Sequence, residues 1–571
     1  MKQFKYYMLA GLAMMMMLLV GCTEDNSMTE YVGNKEDDKE NTTKTDEVIE
    51  ALQAVPGIYY VTLEDGSKDK EDEDDDDADG RLPDSNGQEQ KEDKTYYSFY
   101  FQQPIDHYHP EAGTYLQHCT LKFKGWDNNV VVYTHGYNMK MREVDLSKHL
   151  KANQLNIEHR YFGESLPEPF EDLTMTYLHA DQQACDIHRI VSTLKTHLFT
   201  TGKWVSTGTS KDGITTALQA YYSDLNGWED IDAYVPFCAP FMPGTTYSDG
   251  SFSCNDAMTG TYLKDVCGDG YEAGSQEAVA YERLRRIPLL VCTNKLVREK
   301  AIAACYQASP AGYALVVEQF NSKSEMSTGD LTKDLAAYAI QTYYSALFFK
   351  FSYVTYTKWA GLVPDLTPLE NGTATEEQWE NFMSFYTMNA DKLLKELDKH
   401  PQSEEAVTRG TTRSATEDLW IFLNFRREDK TAPYTIQAFT ELGAADLDYS
   451  IVKGTGYLTE LECEKVNYQF TTQYSYENIA DEGIYKQDKG KLMTDFRRWT
   501  ETETTQPIIF VYAYNDPWTG AGITDEAARK NPMIEKVVDY IATHCDDIQD
   551  RKSYTEESEQ AIIRALDKFL K

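Results

Sequence analysis

The sequence predicts an α/β fold in which a mainly parallel sheet is covered by helices and split by one large helical insertion. Three observations predict it. Short, nearly continuous apolar runs at residues 129–134, 152–158, 203–208 and 231–237 alternate with helix-spaced stretches, the habit of parallel strands buried on both faces. A serine stands in the tight turn between one of these strands and the next helix, in Gly208-Thr209-Ser210-Lys211-Asp212-Gly213. The strand pattern lapses after residue 241, gives way to mostly helical sequence and resumes only at residues 507–514.

In chain order, Lys2 and Lys5 precede an apolar run over residues 6–20, the size of a signal-peptide core and short for a membrane span. It ends in Leu19-Val20-Gly21-Cys22, which has the form of a lipobox. Residues 1–21 are therefore read as a lipoprotein signal peptide and Cys22 as the lipidated mature N-terminus, with polar residues 22–50 as a flexible tether. The expected location is extracytoplasmic, lipid-anchored in the outer membrane of a two-membrane bacterium.

Residues 51–241 form the first part of the core. Aromatic and β-branched runs at 58–63 and 96–101 would pair as an antiparallel hairpin. Its loop, residues 64–94, carries 15 Asp+Glu against 5 Lys+Arg. Within it Asp75-x-Asp77-x-Asp79-Gly80 copies the start of a calcium loop, but Asn86 stands where the bidentate Glu belongs, so a solvated, self-repelling loop is expected. Residues 181–199 have helical spacing, with Ile187, Ile190, Val191 and Leu194 near one face, and a second helix follows Ser210 over 213–223. Residues 242–506 are read as a helical cap over the carboxyl edge of the sheet, where open α/β sheets bind ligands. Residues 507–571 complete the core, with a helix expected at 531–541.

The charge balance excludes one class of function. With 55 Lys+Arg against 93 Asp+Glu, the net charge of −38 offers no basic face, so no nucleic-acid partner is expected. A 41% hydrophobic content supports a true core. Ten cysteines less Cys22 leave an odd number, so at least one thiol stays unpaired; Cys254 with Cys267 and Cys292 with Cys305 are the close-spaced pairs to test as disulfides. No CxxC pair occurs, and neither cofactor nor metal is expected.

The chemistry rests on three residues and a turn. A strand-to-helix elbow lifts the Ser210 hydroxyl above the sheet beside a helix N-terminus. Serine is a weak nucleophile, so a histidine must take its proton and a carboxylate must orient that histidine. Two histidines follow Ser210, His400 and His544. His400 lies among charged residues of the cap and before a Pro, which suits a surface position. Asp516 follows the last core strand and His544 comes 28 residues later, the order Ser, Asp, His that such sheets use. The backbone N–H of Lys211, with one from Gly136 or Tyr137 after the strand at 129–134, would form the oxyanion hole. Glu158 and Glu164, near the sheet edge, are candidates for holding a substrate ammonium. The reading preferred over that one is that the Glu158-His159-Arg160-Tyr161 segment anchors buried hydrogen bonds and an ion pair behind the site, and His107, His135 and His159 fit supporting structural roles better than metal ligation.

These motifs have a family likeness. Phe101-Gln102-Gln103-Pro104-Ile105-Asp106-His107, Glu158-His159-Arg160-Tyr161-Phe162-Gly163-Glu164-Ser165, Gly208-Thr209-Ser210-Lys211 and Asp516-Pro517-Trp518-Thr519-Gly520, with His544, together resemble the secreted bacterial tripeptidyl aminopeptidases. That family of serine peptidases is similar to the prolylcarboxypeptidase and dipeptidyl peptidase family. The resemblance implies an α/β-hydrolase core with a helical cap and release of short peptides from free N-termini. It also implies that Ser210 is the nucleophile, Asp516 the acid and His544 the base. The family commonly shows Gly where Asp212 stands, so two alternatives accompany the membrane-anchored exopeptidase: a non-catalytic peptide- or glycan-binding lipoprotein, and an esterase.

Overall fold

A computed structural model of the chain describes residues 47–65, 95–139, 141–167, 175–241, 262–268, 270–324, 327–352, 354–387, 432–437, 441–442, 450–459, 462–463, 491–546 and 554–571. Residues 49–571 make one compact unit. The lipobox, the tether to residue 46, the calcium-like run, Cys254 and His400 lie outside the described residues.

Among the described residues nine strands build a single sheet: β1 (Ile58–Asp65), β2 (Thr95–Pro104), β3 (Thr114–Lys122), β4 (Val130–Thr134), β5 (Asn153–Ile157), β6 (Trp204–Thr209), β7 (Ala233–Phe237), β8 (Ile508–Ala513) and β9 (Ile534–Asp539). Their order is β1-β2-β3-β5-β4-β6-β7-β8-β9. The expected β1/β2 hairpin is present and antiparallel, with Ile58 opposite Phe101 and Asp65 opposite Thr95. From β5 through β9 every pairing is parallel. β4, β7 and β8 are buried at every position, which is why they read as apolar runs without alternation. β5 is polar yet equally buried, because its side chains satisfy one another: Gln154 donates to Asn156 at 2.7 Å and Asn156 to Thr120 at 2.9 Å.

Helices α1 (Ala180–His197) and α2 (Lys211–Asn226) cover the sheet and pack on each other. Between β7 and β8 the regular elements among the described residues are helices, chiefly α3 (Gln276–Thr293), α4 (Lys295–Ala308), α5 (Pro310–Ser322), α6 (Leu331–Phe351), α7 (Glu376–Tyr386) and α8 (Lys491–Thr502). Helices α3 to α7 share a core that includes the buried rings of Tyr343, Tyr344, Trp359 and Tyr386. Much of the chain's large tyrosine complement is therefore packing material, with hydroxyls finding carbonyls, as Tyr343 does at Leu284 and Tyr386 at Ala339. Among the described residues no helix is long and apolar enough to cross a membrane.

Two expectations need correction and one strand is added. Residues 531–541 are not a helix: Val537 and Val538 are β-branched neighbours, and the segment adds β9 to the edge of the sheet, pairing Ile508 to Ile534 through Ala513 to Asp539. β3, which the sequence reading does not include, alternates over its first half and is buried throughout from Cys119 to Lys122. Cys292 and Cys305 are both free and buried, on α3 and α4, and Cys267 is also free. The C-terminal helix α9 (Glu556–Phe569) closes the core by burying Ile562 and Leu566 against Ile509 and Val511.

Candidate active site

Ser210 occupies the turn between β6 and α2 with φ 59° and ψ −120°, a conformation that costs a non-glycine residue of order 1–3 kcal/mol unless its surroundings enforce it. They do. The Ser210 N–H donates to the Phe237 carbonyl at the end of β7 at 2.8 Å, and the Ser210 carbonyl accepts from Ile214 at 2.9 Å. A Cβ on Gly208 would stand 2.4 Å from the Asp212 carbonyl oxygen, and one on Gly213 2.6 Å from that of Phe237. The two glycines thus let the strand and helix close on each other.

Asp516 and His544 come to this turn from the loops after β8 and β9, strands parallel to β6. β8 ends at Ala513, and Asp516 follows as a helix cap whose Oδ1 accepts the Trp518 N–H at 2.9 Å. His544 lies five residues beyond β9. The buried Asp539 shapes that loop, its carboxylate accepting the Ile541, Ala542 and Thr555 N–H groups at 2.8 to 2.9 Å. The His544 N–H donates to the carbonyl of Ser352, just past α6, at 2.7 Å, so the segment between β7 and β8 also holds the base. The result is a line: His544 Nε2 lies 3.0 Å from Ser210 Oγ and Nδ1 lies 2.7 Å from Asp516 Oδ2. Asp516 and His544 are almost fully buried, whereas Ser210 is half-exposed. Burial works against a proton on His544, but the Asp516 carboxylate outweighs it and holds the imidazole pKa well above its ordinary value.

The oxyanion candidates separate. The Lys211 N–H, in the first turn of α2, finds no acceptor among the described residues. The Gly136 N–H is engaged: it donates to Asp212 Oδ1, which corrects its reading as an oxyanion donor. Tyr137 is half-buried, its ring meeting Phe162 and Tyr434 edge-on at 5.7 and 5.5 Å. Asp212 therefore does not jam the elbow. Its carboxylate clasps the loop after β4, with Tyr133 also bonded to it and Gly136 leaving room because a Cβ there would stand 2.8 Å from Oδ1. The Lys211 side chain is buried between His159 and Thr215, and burial pushes its ammonium pKa down to about 8.

The carboxylates proposed for a substrate amine are otherwise occupied. Glu158 is buried, its oxygens accepting the Met139 N–H at 3.0 Å, the Glu164 N–H at 3.0 Å and the Ser165 hydroxyl at 2.8 Å. Burial pushes it up to about 7. Exposed Glu164 accepts from Tyr100 of β2, on the antiparallel wing of the sheet. The ion-pair reading of the same segment is realised: Arg160 grips Asp186 of α1 through two nitrogens at 2.7 and 2.8 Å, with Tyr115 and His107 completing the shell of that carboxylate at 2.8 and 2.7 Å. His159 donates Nδ1–H to the Arg160 carbonyl, and burial lowers its pKa, keeping the ring neutral. Sequence reasoning missed Cys238, which follows β7, and whose thiol contacts the His544 ring. Among the described residues, Cys238, Asp516 and His544 form the group of ligand-type side chains close enough to hold a metal ion.

Comparison with known proteins supports a serine peptidase. Residues 75–304 match the sequence profile of the family described as PS-10 peptidase S37. The chain is 24% identical over 434 residues to a prolyl tri/tetrapeptidyl aminopeptidase of Streptomyces mobaraensis, covering 74% of this chain and 69% of that one. A serine protease, vicPb, of Bipolaris victoriae is 30% identical over 111 residues, 17% of this chain and 20% of its own. Among solved structures, proline iminopeptidase of Mycobacterium smegmatis is 8% identical, covering 82% of this chain and 98% of its own, with a TM-score of 0.29.

Proposed function

Starting from a serine peptidase related to family S37, we propose that this chain is an exopeptidase that removes short peptides, tripeptides foremost, from free N-termini through an acyl-enzyme. The observation that carries the mechanism is the unbroken contact from Asp516 through His544 to Ser210, at 2.7 and 3.0 Å. Ser210 attacks the scissile carbonyl as His544 Nε2 takes its proton. Asp516 holds Nδ1–H in place and stabilises the imidazolium so formed. The Lys211 N–H supports the developing oxyanion, for which one such donor contributes about 3 kcal/mol. His544 then returns its proton to the leaving amine, and water repeats the sequence to free the peptide.

The removal of short peptides from an N-terminus follows the activity named for the Streptomyces mobaraensis relative. It requires an anionic partner for the amine, which Glu158 does not supply with its oxygens already taken. Anchoring through acylated Cys22 is part of the proposal and rests on the lipobox. The test is turnover of tripeptidyl chromogenic amides by the chain truncated before Cys22, beside its N-acetylated counterpart substrates and simple acyl esters. Cleavage of the free-amine amides alone supports the reading. Equal cleavage of blocked substrates removes the exopeptidase claim, and hydrolysis restricted to esters replaces the peptidase with an esterase. Failure of a fluorophosphonate to label Ser210, with peptide still binding, would leave the non-catalytic binder.

A further inference from the structure

We propose that the proton line of this site doubles as an inhibitory site for a soft or borderline divalent cation such as Zn²⁺ or Cd²⁺, held by Cys238, His544 and Asp516. The consequence for activity rests on the catalytic reading above; the binding itself does not.

Three side chains from three separate segments meet here, all of them buried: Cys238 after β7, Asp516 after β8 and His544 after β9. Their ligand atoms lie within 4.8 Å of one another. Zinc bonds of about 2.0 Å to nitrogen and oxygen and about 2.3 Å to sulfur, at tetrahedral angles, set ligand atoms roughly 3.3–3.6 Å apart. Ligation would draw the three atoms, now within 4.8 Å of one another, to that spacing. The Cys238 backbone is tied down, its N–H donating to the Val511 carbonyl at 2.8 Å, and its thiol already touches the His544 ring. The donor set suits the ion: a thiolate and an imidazole select zinc or cadmium over calcium and magnesium. The half-exposed Ser210 marks the side from which the ion enters.

Charge argues the same way. A thiolate, a carboxylate and a neutral imidazole together carry two negative charges, which a divalent ion cancels. Asp186 shows the contrasting case, a buried aspartate beside a histidine whose charge is already met by Arg160 and which offers a cation nothing.

On binding, the Cys238 thiol releases its proton to solvent and sulfur forms a bond to the metal. An Asp516 oxygen exchanges its hydrogen bond to the ring for a metal bond, and His544 contributes a nitrogen lone pair; no electrons change hands. If Nδ1 ligates, the ring proton moves to Nε2, which then cannot accept one from Ser210. If Nε2 ligates, the metal displaces the serine directly. Either way the base is lost until the metal leaves.

The experiment has two arms on the full chain. In the first, metal-free Ser210→Ala protein is titrated with Cd²⁺, and an ultraviolet thiolate-to-cadmium band is expected to saturate at one ion per chain. The band is expected to vanish in Ser210→Ala with Cys238→Ser and in Ser210→Ala with Cys238→Ala, each verified as folded by its thermal transition. In the second arm, Zn²⁺ is expected to inhibit the unsubstituted enzyme reversibly on chelation, and Cys238→Ser to raise the inhibitory concentration, read against that variant's own metal-free rate, by about tenfold or more. A band that persists without Cys238, or never forms, overturns the proposal, as does zinc inhibition indifferent to Cys238. A chain that hydrolyses no peptide would sink the catalytic reading while leaving the cadmium titration decisive.

Discussion

His544 meets Asp516 at 2.7 Å and His107 meets Asp186 at 2.7 Å, and both aspartates are almost wholly buried. What separates the pairs is their third partner. Asp186 is gripped by Arg160 through two nitrogens and capped by the Tyr115 hydroxyl, so that, burial notwithstanding, the guanidinium holds its carboxyl below the usual carboxylate range. The charge is consumed locally, and the knot ties the β2–β3 hairpin and the loop after β5 to α1. Asp516 has no such cation among its described contacts, only the Trp518 N–H and the ring of His544. Its charge is left to act on the imidazole, and the imidazole faces a hydroxyl. One contact geometry thus serves cohesion or proton transfer according to whether a fixed cation is present.

The largest effect should come from breaking the reactive pair. Ser210→Ala is expected to lower kcat on a tripeptidyl amide by about 10⁴-fold or more with the thermal transition unchanged, because the other groups of such a triad achieve little alone. Asp516→Asn should cost about 10⁴-fold, since the histidine loses both its tautomer and its counter-charge. The pH profile gives the sign. His544 must be neutral to accept the serine proton, and Asp516 holds its pKa above the ordinary imidazole value, so kcat/KM of the native enzyme should rise with pH only above the usual histidine range. In Asp516→Asn that limb should move to lower pH. Stability runs the other way. The proton on His544 stabilises the fold below the unfolded imidazole pKa, and that contribution fades as pH climbs through the raised folded value. An unshifted limb in Asp516→Asn would show that the two pairs do not differ as argued.

Breaking the cohesive pair should be felt in folding. Arg160→Met leaves Asp186 charged and buried with its main counter-charge gone, at a cost of about 3–5 kcal/mol in denaturant unfolding, with kcat per folded molecule little changed. Arg160→Met combined with Asp186→Leu should recover much of that loss. A fall in kcat greater than the fall in folded protein would mean the knot also positions the site.

The difference between the regions also explains what was legible. Buried parallel strands announce themselves as apolar runs, and a serine between strand and helix has one structural use in such a sheet, so β4, β6, β7 and Ser210 could be read directly. His544 could be found by elimination, even with β9 mistaken for a helix, because chain order survives an error in local structure. β9 itself has only mixed burial, and its strand state comes from pairing with β8, a non-local cause. The knot was half visible. Arg160 was foreseen in an ion pair, but Asp186 looks like any polar residue of a helix, and nothing local says that it points inward. Glu158 misled for the same reason: a carboxylate near the sheet edge looks available until its three donors are seen.

Asp212 and Gly136 lie between these two behaviours, and they offer the smallest effect and the finest test. In sequence they look like separate oddities, an acid where an elbow wants a small residue and a glycine that suits an oxyanion hole. In the fold they are one contact, a carboxylate closing the loop after β4 onto the first turn of α2. Asp212→Gly should therefore orphan the Gly136 N–H, an unmet buried donor costing about 1–3 kcal/mol. It should lower kcat by about tenfold through loosening beside Ser210, with KM moving less, since a shift of this kind acts on orientation at the reacting centre. Asp212→Asn keeps an oxygen for the same N–H and should stay within about threefold of the native rate, separating the role of the hydrogen bond from that of the charge. If Asp212→Gly proved faster than the native enzyme, the carboxylate would be a hindrance rather than a clasp, and the freed Gly136 N–H would regain its place as an oxyanion donor.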